Sequence, residues 1–151
     1  MTSENFSFGC VTSVTSNNVI ATTKGETFDG RSPSSNHIYI YDQNMKLTGR
    51  LENLARGERI YSARFMGDKI YVVTFKQVDP LFVIDAANPN APKVLGELKI
   101  PGFSDYLHPL DENHLIGFGH DTKLISQKGG REPLIRTNGV KLTKITIMFI
   151  H

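Results

Sequence analysis

A chain of 151 residues that is 39% hydrophobic and 21% charged is long enough to bury one ordinary core and is too apolar for a disordered segment. Its net charge of +2 and single cysteine, Cys10, point to no strongly charged partner, no intramolecular disulfide and no cysteine metal cluster. No run approaches the ~18–20 apolar residues of a membrane span, and the chain as written opens on no signal peptide.

Thirteen Gly and seven Pro predict many turns between short strands. In chain order the first strands are Val19–Thr23 (VIATT), Ile38–Asp42 (IYIYD) and Lys46–Leu54 (KLTGRLENL). Ile60–Phe65 (IYSARF), Lys69–Phe75 (KIYVVTF), Leu81–Asp85 (LFVID) and Lys93–Ile100 (KVLGELKI) form a second series. Ser104–Leu110, His114–Gly119 and Val140–Phe149 form a third. Leu47, Leu51 and Leu54 are spaced as on a helix, but Gly49 and Gly57 oppose one, and the repeat assigns a strand there.

The strands differ in pattern. I-Y-I-Y, I-Y-V-V and L-F-V-I are apolar at consecutive positions, which suits strands covered on both faces. In V-L-G-E-L-K-I, Val94, Gly96, Leu98 and Ile100 share one face and Leu95, Glu97 and Lys99 the other, which suits a half-exposed outer strand. The connectors are Met66–Lys69, Ala87–Pro92 and Leu110–Asn113, with a long polar loop at Lys24–Asn36 expected on the surface. Four strands in roughly 43–51 residues is the blade pattern of an antiparallel, all-β propeller. The expected architecture is two to three four-stranded units in residues 1–122, with boundaries near 55 and 102, forming an incomplete ring. Residues 123–151 form a divergent basic end that can contribute to a further blade. Residues 122–151 carry 6 Lys+Arg and 1 Glu, without interleaved aromatics, so a solvated end is expected and nucleic acid is not an expected partner.

The stretch Gly57–Thr122, and upstream of it IATTKGETF and NHIYIYDQNMKLTGRLENL, closely resembles a family of secreted bacterial and archaeal proteins with a C-terminal β-propeller domain distantly related to WD repeats. The resemblance spans roughly residues 18–122. It implies blades, an extracytoplasmic setting and no defined activity. Family members are several times longer, so the chain resembles an internal fragment. After the GHDT region the family continues with a strand carrying aspartates, and Val140–His151 departs from it.

Candidate chemistry concentrates at 105–121. His108, His114 and His120 are six apart, with Asp105, Asp111, Glu112 and Asp121 nearby, and His with carboxylates suits Zn²⁺ or another divalent cation. Of these, His108, His114, Asp105 and Asp111 are the metal candidates; two strand ligands on one face would prefer i, i+2 spacing, which argues for surface histidines. Asp42 and Asp85 end equivalent strands and are expected to accept backbone N–H groups of the following turn. Asp79-Pro80 sets an extended strand entry. Arg56, Arg59 and Arg64 beside Glu58 suggest salt pairing, and Gly117–Asp121 (GFGHD) a tight strand end. Tyr39, Tyr41, Tyr61, Tyr71, Phe75 and Phe82 read as blade packing. There is no G-x-S-x-G, G-x-G-x-x-G, P-loop or C-x-x-C motif. The expected function is therefore a non-enzymatic binding or scaffold module without cofactor. Its expected partners are a protein or the remaining blades, including further copies of the chain. The alternatives are a metal-dependent hydrolase site at 105–121 and a carbohydrate-binding surface.

Overall fold

The computed structural model describes residues 6–14, 17–25, 33–75, 79–100, 103–111, 113–125 and 134–146. Their regular elements are eleven strands: β1 (Phe6–Val14), β2 (Asn17–Lys24), β3 (Ser35–Tyr41), β4 (Leu47–Leu54), β5 (Arg59–Met66), β6 (Lys69–Phe75), β7 (Asp79–Asp85), β8 (Lys93–Ile100), β9 (Phe103–Asp111), β10 (His114–Ile125) and β11 (Leu134–Thr146). Each sheet is an antiparallel meander of chain neighbours: β1 to β4, β5 to β8, and β9 to β11. The fold is all-β and blade-like, and the three sheets close no ring.

Three sequence expectations need adjustment. β1 was not anticipated, although Phe6, Phe8, Val11 and Val14 favour a strand and the four-strand repeat requires one before β2. The helically spaced Leu47, Leu51 and Leu54 lie on a strand, β4, as the repeat assigned, and its ladder to β3 runs from Leu47 to Leu54. In β8 the described side chains, residues 93–99, are exposed on both faces rather than one, since the strand is the free outer edge of its sheet. Lys93, Glu97 and Lys99 blunt that edge against further pairing. Finally, β10 and β11 pair from His114↔Thr146 to Ile125↔Leu134, whereas β9 follows β10 only as far as His120↔Phe103. Leu134–Thr146 is thus the third strand of the third sheet. Residues 26–32 of the polar loop lie outside the described residues.

The sheets stack face to face. Alternation along β2 and β3 puts Val19, Ala21, Ile38 and Ile40 on one face, and they meet Ile70, Val72, Phe82 and Ile84 of the second sheet. The opposite face of the second sheet presents Tyr71, Val73 and Leu81 to Leu107, Leu115 and Ile145 of the third. This double coverage explains the unbroken apolar run Ile70–Val73: every one of its side chains lies in an inter-sheet core. At ~25 cal/mol per Å² of apolar surface, such burial contributes about 1.5–3 kcal/mol per large side chain.

A polar network joins the first sheet to the second. The Asn36 side chain accepts from Thr23 Oγ1 at 2.7 Å and donates to the carbonyls of Leu54 and Ala55 at 3.1 and 3.3 Å. Thr23 Oγ1 in turn accepts from Ile60 N at 3.1 Å, and Ser34 Oγ donates to Glu58 O at 2.7 Å. The Glu58 carboxylate accepts from Thr74 Oγ1. The turn held here is strained, with Ala55 at φ 46° and Gly57 at φ 87°. A left-handed non-glycine residue costs of order 1–3 kcal/mol, so the network must over-determine the turn.

Candidate functional site

The β9–β10 hairpin of the third sheet holds the residues that suggested metal chemistry. Across the tight connection between β9 and β10, His114 Nδ1 donates to Asp111 at 2.7 Å, and Asp111 also accepts from Asn113 N at 2.8 Å. These two donors, the Asn113 N–H first, hold the Asp111 carboxyl below its ordinary range. Farther along β10, His120 Nδ1 donates to Asp105 Oδ2 at 3.2 Å. His114 and His120 are six residues apart, roughly 20 Å along an extended strand. His108 lies instead beside the Tyr106 hydroxyl, 3.4 Å from its Nδ1. Of the four metal candidates, Asp111 and His114 are thus brought together across the turn, whereas Asp105 meets His120 and His108 meets Tyr106. No group of three or more His, Cys, Asp or Glu side chains suited to a metal ion occurs among the described residues. Glu112 lies outside those residues, and Asp121 pairs with Lys141 at 3.6 Å.

Asp42 and Asp85 occupy matching places after β3 and at the end of β7. Asp42 Oδ1 accepts from Asn44 N at 2.8 Å and from Lys46 N at 2.9 Å. Asp85 Oδ1 accepts from Ala87 N at 3.0 Å, with Lys69 Nζ at 3.4 Å and Lys93 Nζ at 4.0 Å from its carboxylate. The backbone N–H of Ala87, aided by Lys69 and Lys93 against the cost of burial, lowers the Asp85 pKa. A depressed folded-state pKa gives stability that is present above the unfolded value of ~3.9 and is lost as pH falls through the folded value. Asp85→Asn is accordingly expected to flatten the acid limb of a stability–pH profile measured by urea unfolding below about pH 4. An unchanged acid limb would show that the turn does not depend on that charge.

His37 obeys the same sign. Burial, with Lys24 nearby, lowers its pKa, so it is held neutral, and its contribution falls as pH drops below about 6.5. Its Nε2 lies 2.8 Å from Ser35 Oγ, while its Nδ1 is sealed from solvent with no hydrogen-bond partner among the described residues.

The aromatic residues divide by face. Tyr71 and Phe82 are buried, Tyr39 and Tyr41 half-buried, and Tyr61 exposed; the Phe75 side chain lies outside the described residues. Sequence reading overlooked Tyr106 and Phe118, which sit opposite each other on β9 and β10 with ring centroids 6.1 Å apart. Arg64 lies over the Tyr106 ring at 5.8 Å. The period-two pattern of β10, with Leu115 facing in and Ile116 and Phe118 facing out, was the available signal. Gly117 lies mid-strand rather than at a strand end. A Cβ there would come within 2.5 Å of Ser104 Oγ, so close packing against β9 accounts for this glycine. Asp79-Pro80 opens β7.

The family model described as "Beta propeller domain" matches residues 14–146, reaching into the basic end. An uncharacterized protein of Methanocaldococcus jannaschii is 56% identical over 102 residues, which is 68% of this chain and 16% of that protein. An uncharacterized protein of Archaeoglobus fulgidus is 49% identical over 86 residues, 57% of this chain and 14% of that protein. The chain thus matches about one-sixth of the length of these relatives or less. No solved structure matches it.

Proposed function

The chain belongs to the beta propeller domain family, and from that premise we propose that it is a non-enzymatic binding or scaffold module. The observation that supports this reading most directly is the use made of polar groups in and around the stacked sheets. Asn36, Thr23, Ser34 and Glu58 bind the first two sheets to each other, and Asp42 and Asp85 bind their own turns. The His–carboxylate pairs stand apart on the exposed face of a single sheet. Rigid blades that present side chains from loops and outer faces suit recognition of a protein surface. An extracytoplasmic setting is part of the proposal and rests on the resemblance of Gly57–Thr122 to secreted proteins. So does the reading of the chain as one part of a longer propeller. No helix among the described residues is long and apolar enough to cross a membrane.

Metal content, measured by mass spectrometry on protein purified without chelator, tests the reading. Zinc, manganese and calcium far below one equivalent per chain are expected. One tightly held equivalent, lost in Asp111→Ala, would replace the scaffold reading by a metal-dependent one. The exposed Tyr106–Phe118 pair also makes a carbohydrate surface chemically reasonable. Glycan binding abolished by Tyr106→Ala would favour that reading.

A further inference from the structure

β2 and β3 meet in a corner whose two faces differ in content. The strands pair there as Thr22↔His37, Thr23↔Asn36 and Lys24↔Ser35. Neighbouring pairs point to opposite faces of a sheet. Thr23 and Asn36 point toward the second sheet and hold the junction to it. Asn36 Nδ2 donates to the carbonyls of Leu54 and Ala55, and Thr23 Oγ1 accepts from Ile60 N at 3.1 Å. Thr22 and His37 point the other way, yet they are only 4% and 7% exposed.

The His37 ring lies flat against Tyr39, with centroids 5.9 Å apart and planes 6° from parallel. Its Nε2 is 2.8 Å from Ser35 Oγ, and its Nδ1 is sealed from solvent without a hydrogen-bond partner among the described residues. The charged groups that act on it among those residues are Lys24 on β2 and Glu52 on β4. Lys24 Nζ lies 5.4 Å from the centre of the same Tyr39 ring. Glu52 accepts from the Tyr39 hydroxyl at 3.4 Å and lies 3.5 Å from Arg50 Nε, so its charge is already shared. A neutral ring with its proton on Nε2 donates to Ser35 and leaves Nδ1 as a bare acceptor. A second proton turns Nδ1 into a sealed, charged donor with no acceptor, near the Lys24 cation. Water can serve as that acceptor only if the corner opens.

We propose that His37 is a proton-operated latch: its protonation opens the β2–β3 corner and loosens the first sheet from the second. The rung next to Thr22↔His37 in the same ladder is Thr23↔Asn36, so a corner opened at the ring also disturbs the groups that hold the junction. Burial, with Lys24 nearby, gives the sign: the latch is closed above the ordinary histidine value of 6.5 and weakens as pH falls below it. The carboxyls of Asp85 and Asp111 are held below their ordinary range, so their acid response comes at lower pH. The latch lies within the first sheet and its junction with the second, so it and the scaffold proposal fail separately.

Amide hydrogen exchange of the full chain between about pH 7.5 and about pH 5 is the test, with rates referred to an unstructured peptide at each pH. The Ile60 amide is the reporter, since it donates across the junction to Thr23 Oγ1. Its protection, and that of residues 22–24 and 36–38, is expected to fall about fivefold or more on acidification, the lower bound for a buried donor left unpaired. His37→Gln has no proton to gain in this range and is expected to abolish the response. His37→Phe keeps a ring against Tyr39 and serves equally if the first variant does not fold. Protection that stays constant across the range overturns the proposal. An equal loss in the variants also overturns it, since the sensor would then lie elsewhere. So does a loss at residues 22–24 and 36–38 that leaves Ile60 protected, because the ring and the junction would then be uncoupled.

Discussion

Asn36→Ala is expected to lower the unfolding free energy by about 3 kcal/mol or more, read as a lower urea midpoint at unchanged slope. Asn36 is fully buried, and its amide serves both as acceptor and as donor. Removing it leaves the carbonyls of Leu54 and Ala55 without this donor and Thr23 Oγ1 without its acceptor. Each buried polar group left unpaired costs about 1–3 kcal/mol, and the substitution also opens a small cavity. The strained Ala55–Gly57 turn would lose part of its support as well. Combining Asn36→Ala with Thr23→Val distinguishes a network from independent contacts. The double variant should be less destabilised than the sum of the singles by more than about 0.5 kcal/mol. Strict additivity would mean that Thr23 and Asn36 act separately and that the sheet junction is held by apolar contact alone.

Tyr71→Ala is expected to cost about 3–5 kcal/mol, the range for emptying a large aromatic site in a packed core. Tyr71 is 1% exposed and belongs to the small core that fastens the third sheet to the second. Burial raises its phenol pKa, so the ring stays protonated well past neutral pH. The loss should be local before it is global. Amide hydrogen exchange should quicken in β9, β10 and β11 more than in β2 and β3, because the first two sheets share a separate core that Tyr71 does not enter. Uniform acceleration across all three sheets would show that the stack unfolds as one cooperative unit.

The fold was largely legible because its determinants are local. Consecutive apolar residues in Ile38–Tyr41, Ile70–Val73 and Leu81–Ile84 mark strands between two sheets, and turns at Gly67-Asp68 and Asn88–Pro92 punctuate them. β1 escaped notice because Phe6–Val14 is broken by Ser7, Gly9 and Cys10, and its apolar signal alone is weak. The extent of β10 and β11 was hidden for a different reason. Residues 120–123 and 136–139 are polar and find their strand state through pairing across the hairpin. The candidate site was less legible. Spacing could gather His108, His114, Asp105 and Asp111 into one neighbourhood, yet pairing register decides which carboxylate each histidine meets.

The sequence by itself determined the strand class, the repeated unit and the places where Asp42 and Asp85 end equivalent strands. These follow from periodicity and turn chemistry, which act over a few residues. Only the tertiary structure decided which face of each strand is covered. It set Leu115 in a core and Phe118 in solvent, three residues apart on one strand, because alternation assigns faces but only the neighbouring sheet assigns burial. It also revealed Asn36 as the centre of the first junction. A buried polar network is made of long-range contacts, and no local pattern records which backbone carbonyls an amide will meet.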